Sequence, residues 1–278
     1  MKQRVITAIF ILLVIVPLLL AKILYDVNDY LYILSFILAI VAMNEMLSTK
    51  EREKNLPFEV HIISYLAVIY IAFADSFVVM FKNSVQTINI LPYLLIIFMI
   101  LTVLRNHFKV KDASFVLFAI YYIGLSFFTL VQIFLRTNGI YELIYIILIA
   151  VFTDTSAYFI GTFFGKHKLC PDISPKKTKE GSVGGTIIAT ILVMVYVLLV
   201  PKFTFLYDNI FYKIGLTFLL SIISQFGDLA LSVVKRQFSI KDFGNLFPGH
   251  GGVLDRLDSI LFTSLTYYYL TELLTSIF

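Results

Sequence analysis

Tryptophan is absent from the 278 residues, cysteine occurs once, at Cys170, and charge is scarce: 22 basic and 18 acidic side chains make up only 14% of the chain. Soluble domains usually carry about 25% charged and about 45–50% apolar residues. Here 59% of residues are hydrophobic before the 13 glycines are added. Forty charges cannot cover the surface of a soluble protein of this size, so the chain reads as a polytopic membrane protein. The single cysteine excludes a disulfide scaffold. The 27 phenylalanines and 17 tyrosines exclude disorder. The ten-residue alternation of a membrane β-barrel is missing, because the apolar runs are long and continuous. The formal charge of +4 does not call for nucleic acid as a partner, since basic loops at a membrane surface account for it.

A transmembrane helix needs about 20 predominantly apolar residues. Nine stretches qualify, at roughly 5–22, 30–48, 60–81, 87–104, 113–135, 139–164, 184–201, 210–234 and 254–277. The first follows Lys2 and Arg4 but ends at Lys22 without a small-x-small cleavage site, so it reads as a retained span rather than a signal peptide. Tyr25, Tyr30 and Tyr32 take the interface role of the missing tryptophan. With a cytoplasmic N-terminus, nine spans place 17 of the 22 basic residues inside and leave Lys22, Lys82, Arg136, Lys202 and Lys213 outside. That asymmetry is the positive-inside pattern. The expectation is therefore an all-α, polytopic integral membrane protein of about nine transmembrane helices with its N-terminus in the cytoplasm. Residues 1–138 read as lipid-facing scaffold. Residues 139–278 read as the region that carries chemistry, with cytoplasmic loops at 165–183 and 235–253.

The polar residues of the second half need an explanation. A carboxylate at the centre of a membrane helix costs about 2.5–3.5 kcal/mol on insertion scales and is normally kept for function. Asp154 lies in the sixth span and Asp228 in the eighth, two turns before Lys235 and Arg236. The bland alternative for Asp154 is an acid near a helix end that reaches water. For Glu45, closer to an interface, a structural helix-end role and a functional one are evenly matched. The 165–183 loop carries five lysines within fourteen residues and the run Ser174-Pro175-Lys176-Lys177-Thr178-Lys179-Glu180-Gly181. A rigid turn, hydroxyls, point charges and glycines that admit a close backbone suit polyphosphate binding. A positive-inside loop drawn to anionic lipid is the alternative. Walker A spacing is absent. The densest constellation runs through Ser232, Lys235, Arg236, Lys241, Asp242, Gly244, Pro248-Gly249-His250-Gly251-Gly252, Asp255, Arg256 and Asp258. Asp255 and Asp258, three apart, share one face of a helix that begins near Gly252. Capping that helix needs one acid rather than two. Hard carboxylate oxygens beside cations suit Mg²⁺ holding a phosphate, and His250 between glycines suits contact with substrate. An ion pathway is the rival class, but it would carry polar residues on to the outer face.

The run from Ser232 to Asp258 resembles the signature of the phosphatidate cytidylyltransferases, or CDP-diacylglycerol synthases, with no departure over 27 residues. The segments around Asp154 and over Ser174–Gly181 are similar to the family's other motifs, and the length is similar to the bacterial form. The resemblance implies transfer of CMP from CTP to phosphatidate with release of pyrophosphate, a requirement for Mg²⁺, and a multi-span helical fold in the cytoplasmic membrane that is often a homodimer. It implies Asp228 and Asp255 as metal ligands, with Asp258 and Asp154 as further candidates. Asp228, Lys235, Arg236, Asp255 and Arg256 would carry the reaction at the inner membrane surface. Ser174, Lys176, Lys177, Thr178, Glu180, Lys241, His250, Gly251 and Gly252 would bind the substrates.

Overall fold

In lipid a backbone has no water to bond to, so an apolar run satisfies its N–H and C=O groups by coiling into a helix. A computed structural model describes residues 17, 29–73, 90–200, 209–249 and 251–277. These residues form α1 (Asp29–Glu51), α2 (Phe58–Ala72), α3 (Leu91–Leu104), α4 (Val110–Leu135), α5 (Gly139–Phe164), β1 (Lys168–Cys170), β2 (Ser174–Thr178), α6 (Lys179–Leu199), α7 (Ile210–Gln237) and α8 (Leu254–Ile277). The chain divides into two units. One comprises Met1–Val131 with Asp242–Arg256, the other Gln132–Lys241 with Leu257–Phe278.

In the first unit, Met43, Met46, Leu47, Val60, Phe98, Phe108, Ile120 and Phe127 are buried. Two polar ties cross this core. The Tyr65 hydroxyl donates to Asn44 Oδ1 at 2.9 Å, and the Lys50 ammonium, 3% exposed, pairs with Asp112 at 2.8 Å. On α3, Leu95, Ile96, Met99, Ile100 and Val103 are exposed. A helix that is apolar on its outer side has lipid as its solvent.

The second unit packs α5, α6, α7 and most of α8 around Tyr145, Ile146, Ile149, Val193, Leu216, Leu220 and Tyr267. Small residues bring α5 and α6 together: a Cβ built on Gly185 would lie 2.7 Å from the Ala157 Cβ. Buried hydroxyls join α5 to α7, with Tyr145 Oη and Thr217 Oγ1 2.9 Å apart and Thr153 Oγ1 and Ser221 Oγ 2.7 Å apart. Between helices such bonds occupy groups that lipid could not satisfy. Ile187, Ile191 and Leu198 of α6 face outward.

The expectation of nine spans is not met. Among the described residues five helices are long and apolar enough to cross a membrane: Leu31–Glu51, Val110–Leu135, Gly139–Phe164, Lys179–Leu199 and Ile210–Gln237. The 5–22 stretch lies outside the described residues. Helix α2 has 15 residues, the rest of the 60–81 stretch lying outside the described residues, and α3 has 14. Even the longer of the two spans about 22 Å at 1.5 Å per residue, short of a hydrocarbon core of about 30 Å. Helix α8 has 24 residues, but Asp255, Arg256, Asp258, Glu272 and a run of threonines and tyrosines break its apolarity. The N-terminal orientation derived from nine alternating spans loses its basis with that count. Nor is 165–183 simply a loop: it contains the antiparallel β1–β2 hairpin, with Lys168 opposite Thr178 and Cys170 opposite Ser174, and α6 begins at Lys179.

Candidate active site

The second unit holds a cavity of about 620 Å³ where the hairpin meets the facing ends of three helices. Helix α5 contributes Asp154 and Tyr158, the hairpin Lys176 and Lys177, and α7 Gln225 and Asp228. Lys166 and Lys168 also border it, so the charged lining is four lysines against two aspartates. Its hydroxyls are those of Ser174, Thr178 and Ser182, with Thr162 and Tyr158 from α5.

Local chemistry explains how the hairpin is held there. Thr178 caps α6, its side chain accepting the Gly181 N–H at 3.1 Å. Glu180 in the first turn accepts the N–H groups of Lys166 and His167, each at 3.1 Å, and meets the His167 ring at 2.6 Å. The backbone donors just beyond the end of α5 are thereby satisfied. Gly161 and Gly181 leave room for Thr178, since a Cβ on either would lie 2.8 Å from its hydroxyl. From the far side, the Arg236 guanidinium of α7 donates to the carbonyls of Ile173 at 3.1 Å and Ile240 at 2.9 Å.

The acids converge from three helices. Asp228 Oδ2 lies 2.5 Å from the Lys177 ammonium. The carboxyl groups of Asp228 and Asp258 are neighbours that act on each other electrostatically, and the charge of Lys235 acts on both. Their meeting depends on Gly227: a Cβ there would lie 2.6 Å from the Phe262 Cβ and 3.0 Å from the Asp258 carbonyl, so α7 and α8 come within backbone reach. Asp154 accepts a hydrogen bond from Ser259 at 3.3 Å, one residue beyond Asp258. Two neighbouring carboxylates repel unless a proton or a cation offsets their charge. Among the described residues no three His, Cys, Asp or Glu side chains form a ready-made metal cage. Mg²⁺ does not need one, because it commonly takes one or two carboxylates and completes its shell with water and substrate phosphates. The Asp228–Asp258 pair fits that donor set.

Of the residues singled out from sequence, the structure gathers Asp154, Ser174, Lys176, Lys177, Thr178 and Asp228 around one cavity, and the charges of Asp258 and Lys235 act on Asp228. Glu180 is engaged in the helix cap, while Lys241 is exposed at the edge of this unit. Gly251, Gly252, Asp255 and Arg256 belong to the first unit. There Asp255 is buried and Arg256 exposed. His250 lies outside the described residues. Among the contributors not singled out from sequence are Gln225, in the cavity lining, and Ser259. Gln225 donates to Thr186 Oγ1 at 2.8 Å and to the Ser182 carbonyl at 3.3 Å, and Ser259 supports Asp154. The signal for Gln225 was available: Ser221, Ser224, Gln225 and Asp228 repeat at helical spacing.

A model of the cytidylyltransferase family matches residues 2–274. The chain is 36% identical over 264 residues to a phosphatidate cytidylyltransferase of Staphylococcus haemolyticus, covering 94% of this chain and 95% of that one. It is 38% identical over 266 residues to the protein of the same description from Staphylococcus epidermidis, and 36% identical over 270 residues to that from Staphylococcus aureus, with the same coverage in both.

Proposed function

This chain belongs to the bacterial-type phosphatidate cytidylyltransferase (CDP-diacylglycerol synthase) family and is a membrane-integral nucleotidyltransferase of phospholipid biosynthesis, and on that premise we propose that it transfers CMP from CTP to phosphatidate in the cavity lined by Asp154, Lys177 and Asp228. A phosphatidate phosphate oxygen attacks the α-phosphorus of CTP. The new P–O–P bond forms CDP-diacylglycerol, and the α–β bond breaks to release pyrophosphate. A phosphate monoester has its second pKa near about 6 and is largely dianionic at neutral pH, so the attack needs no general base.

The obstacle is charge, because one anion must approach a polyanion. Lys166, Lys168, Lys176 and Lys177 supply fixed cations toward the cavity, and preorganised cations are worth most where the transition state spreads charge over phosphate oxygens. Lys235 serves the acid pair from behind, while Arg236 holds the hairpin that presents the lysines. The hydroxyls of Ser174 and Thr178 orient phosphate or ribose. Asp228 and Asp258, with Asp154, would hold Mg²⁺, which when bound neutralises phosphate charge and stabilises the pyrophosphate leaving group. For Asp255 as a further metal ligand, and for Arg256, Lys241, Gly251, Gly252 and His250, service in the same reaction rests on the motif alone.

The single observation that carries this reading is the four-lysine cavity with Asp154 and Asp228 in its wall, on a chain matched to this family over nearly its whole length. CTP is water-borne and cytosolic while phosphatidate is anchored in lipid, so the cavity is assigned to the cytoplasmic surface of the cell membrane. Homodimerisation rests on the family resemblance and is tested by the mass of the detergent-solubilised protein. The deciding experiment supplies [α-³²P]CTP with phosphatidate, or with a polyprenol, to the purified protein. Labelled CDP-diacylglycerol with stoichiometric pyrophosphate is expected. Absence of a labelled lipid, or release of CDP with phosphorylation of the polyprenol, overturns the reading. Asp228→Asn and Asp258→Asn are expected to abolish turnover and the response to Mg²⁺.

A further inference from the structure

In the first unit, two carboxylates organise the turn that precedes α8. One belongs to the turn itself: Asp255 Oδ2 accepts the backbone N–H of Phe243 at 2.7 Å and of Gly252 at 2.9 Å. The other arrives from α1, more than two hundred residues earlier. Glu45 Oε1 accepts the Val253 N–H at 2.8 Å, and Glu45 Oε2 accepts the Leu254 N–H at 2.9 Å. Three successive N–H groups, at residues 252, 253 and 254, are therefore all bonded to carboxylate oxygens. Consecutive donors at the start of a helix are an anion-binding arrangement, and here the protein's own acids fill it.

The fit around Glu45 is specific. The residue is 6% exposed, and a buried carboxylate is tolerated only where donors replace its water. A Cβ on Gly244 would lie 2.6 Å from Glu45 Oε1, and one on Gly252 would overlap the carboxylate. Two glycines of the signature are thus the space that Glu45 occupies. Gly251, at φ 86°, turns the chain in the left-handed region that favours glycine, and its own Cβ would meet Asp255 Oδ2 at 2.8 Å.

We propose that Glu45 is a positioning residue of this enzyme. By fixing the backbone of Val253 and Leu254 it sets the turn from which Asp255 and Arg256 project, without itself touching substrate. The proposal rests on the reading of Asp255 as a metal ligand. It assigns a part in the reaction's geometry to the N-terminal helices, which read from sequence as scaffold. Glutamine keeps the size of Glu45 but offers only one oxygen; its amide would face one of the two N–H groups donor to donor.

The test uses the full-length protein in detergent, with Mn²⁺ alone as the probe, read by the electron paramagnetic resonance signal of free Mn²⁺. Glu45→Gln is expected to weaken Mn²⁺ binding about tenfold, the order seen when partners outside a metal's own ligands are removed. It is also expected to lower kcat about tenfold while moving the KM for CTP much less. Asp112→Asn breaks the buried Lys50 pair of the same unit; it should lower thermal stability and leave Mn²⁺ binding unchanged. Should Glu45→Gln fail to accumulate, Gly244→Ala displaces the carboxylate from the other side and is expected to give the same shift. Wild-type Mn²⁺ affinity in a folded Glu45→Gln or Gly244→Ala, beside an Asp255→Asn that has lost it, overturns the positioning role. An equal loss in Asp112→Asn overturns it too, as general destabilisation. Full affinity in Asp255→Asn instead removes the metal reading on which the proposal stands.

Discussion

The Lys177 ammonium, carried by strand β2, stands 2.5 Å from the Asp228 carboxylate inside helix α7. The two side chains are 23% and 25% exposed and both line the cavity, while the ammonium nitrogen itself is covered. A cation in that position can exchange a carboxylate partner for a phosphate without moving far.

Removing the cation should therefore be felt in both catalysis and folding. Lys177→Met is expected to lower kcat/KM for CTP about 100-fold, the scale of a lost charge-stabilising donor. The thermal midpoint should fall as well, because the Lys177 nitrogen is covered and its loss leaves Asp228 short of a cation. Steady-state kinetics with phosphatidate in mixed micelles, beside a melting curve, separates the two effects.

Gly227 offers a geometric test. Gly227→Ala places a methyl group where the Phe262 side chain and the Asp258 carbonyl already stand, forcing α7 away from α8. Overpacking of this kind typically costs about 1–3 kcal/mol, and here it also parts Asp228 from Asp258. Turnover should fall steeply. Gly215→Ala, where no atom lies within 4 Å of the added carbon, should leave both activity and melting temperature at or slightly above the wild-type values.

Far from the cavity, Arg136 bonds Glu142 at 2.9 Å and Glu272 at 2.8 Å, and its guanidinium carbon lies 5.2 Å from the Tyr268 ring centre. Glu142 is buried and also accepts the Tyr267 hydroxyl at 3.0 Å. Glu142→Gln should destabilise the protein by about 1–3 kcal/mol, less than a fully buried pair because Arg136 keeps some water. The twelve residues of α5 from Glu142 to Asp154 span about 18 Å, so the KM for CTP should not change. Thermal inactivation rates beside substrate titrations check this.

For Lys50 and Asp112 the sign of the double replacement is informative. Lys50→Met leaves the buried Asp112 without its ammonium and is expected to cost about 3–5 kcal/mol, whereas Asp112→Leu leaves Lys50 its second partner, Glu53 at 2.8 Å, and should cost less. The double variant should recover much of the loss, since an apolar pair of similar volume needs no desolvation. Failure to recover in a denaturation series would mean that the pair sets the register of α1 against α4 and does more than match charge.

Hydropathy marked the five long helices because each carries a long, mostly apolar run. It overcounted where lipid-like composition is not matched by length, as in α2 and α3, or where tyrosines, threonines and acids dilute the run, as in α8. The hairpin was hidden for a different reason. Its eight strand residues, three in β1 and five in β2, carry lysines and a proline and have the composition of a loop. What makes them strands is the clamp of Glu180 and Thr178 at the start of α6. The acids of the candidate site were conspicuous, since an aspartate in an apolar run calls for an explanation. Their partners were not. Nothing local in the chain pairs Lys177 with Asp228, or Glu45 with the N–H groups of Val253 and Leu254; those pairings follow from which helix faces meet. Glycines at 227, 244 and 252 were visible as letters but acquired meaning only once the group each makes room for was placed.

The hairpin between α5 and α6 also bears on the order of assembly. Residues 139–199 form a local piece, two helices folded back on each other through a short polar connection, and contacts of such small sequence separation form early. The lysine-bearing wall of the cavity therefore belongs to one local piece, which Arg236 of α7 ties down at Ile173. Asp228, which would be costly to leave bare in an apolar setting, has its ammonium supplied from that piece rather than from its own helix.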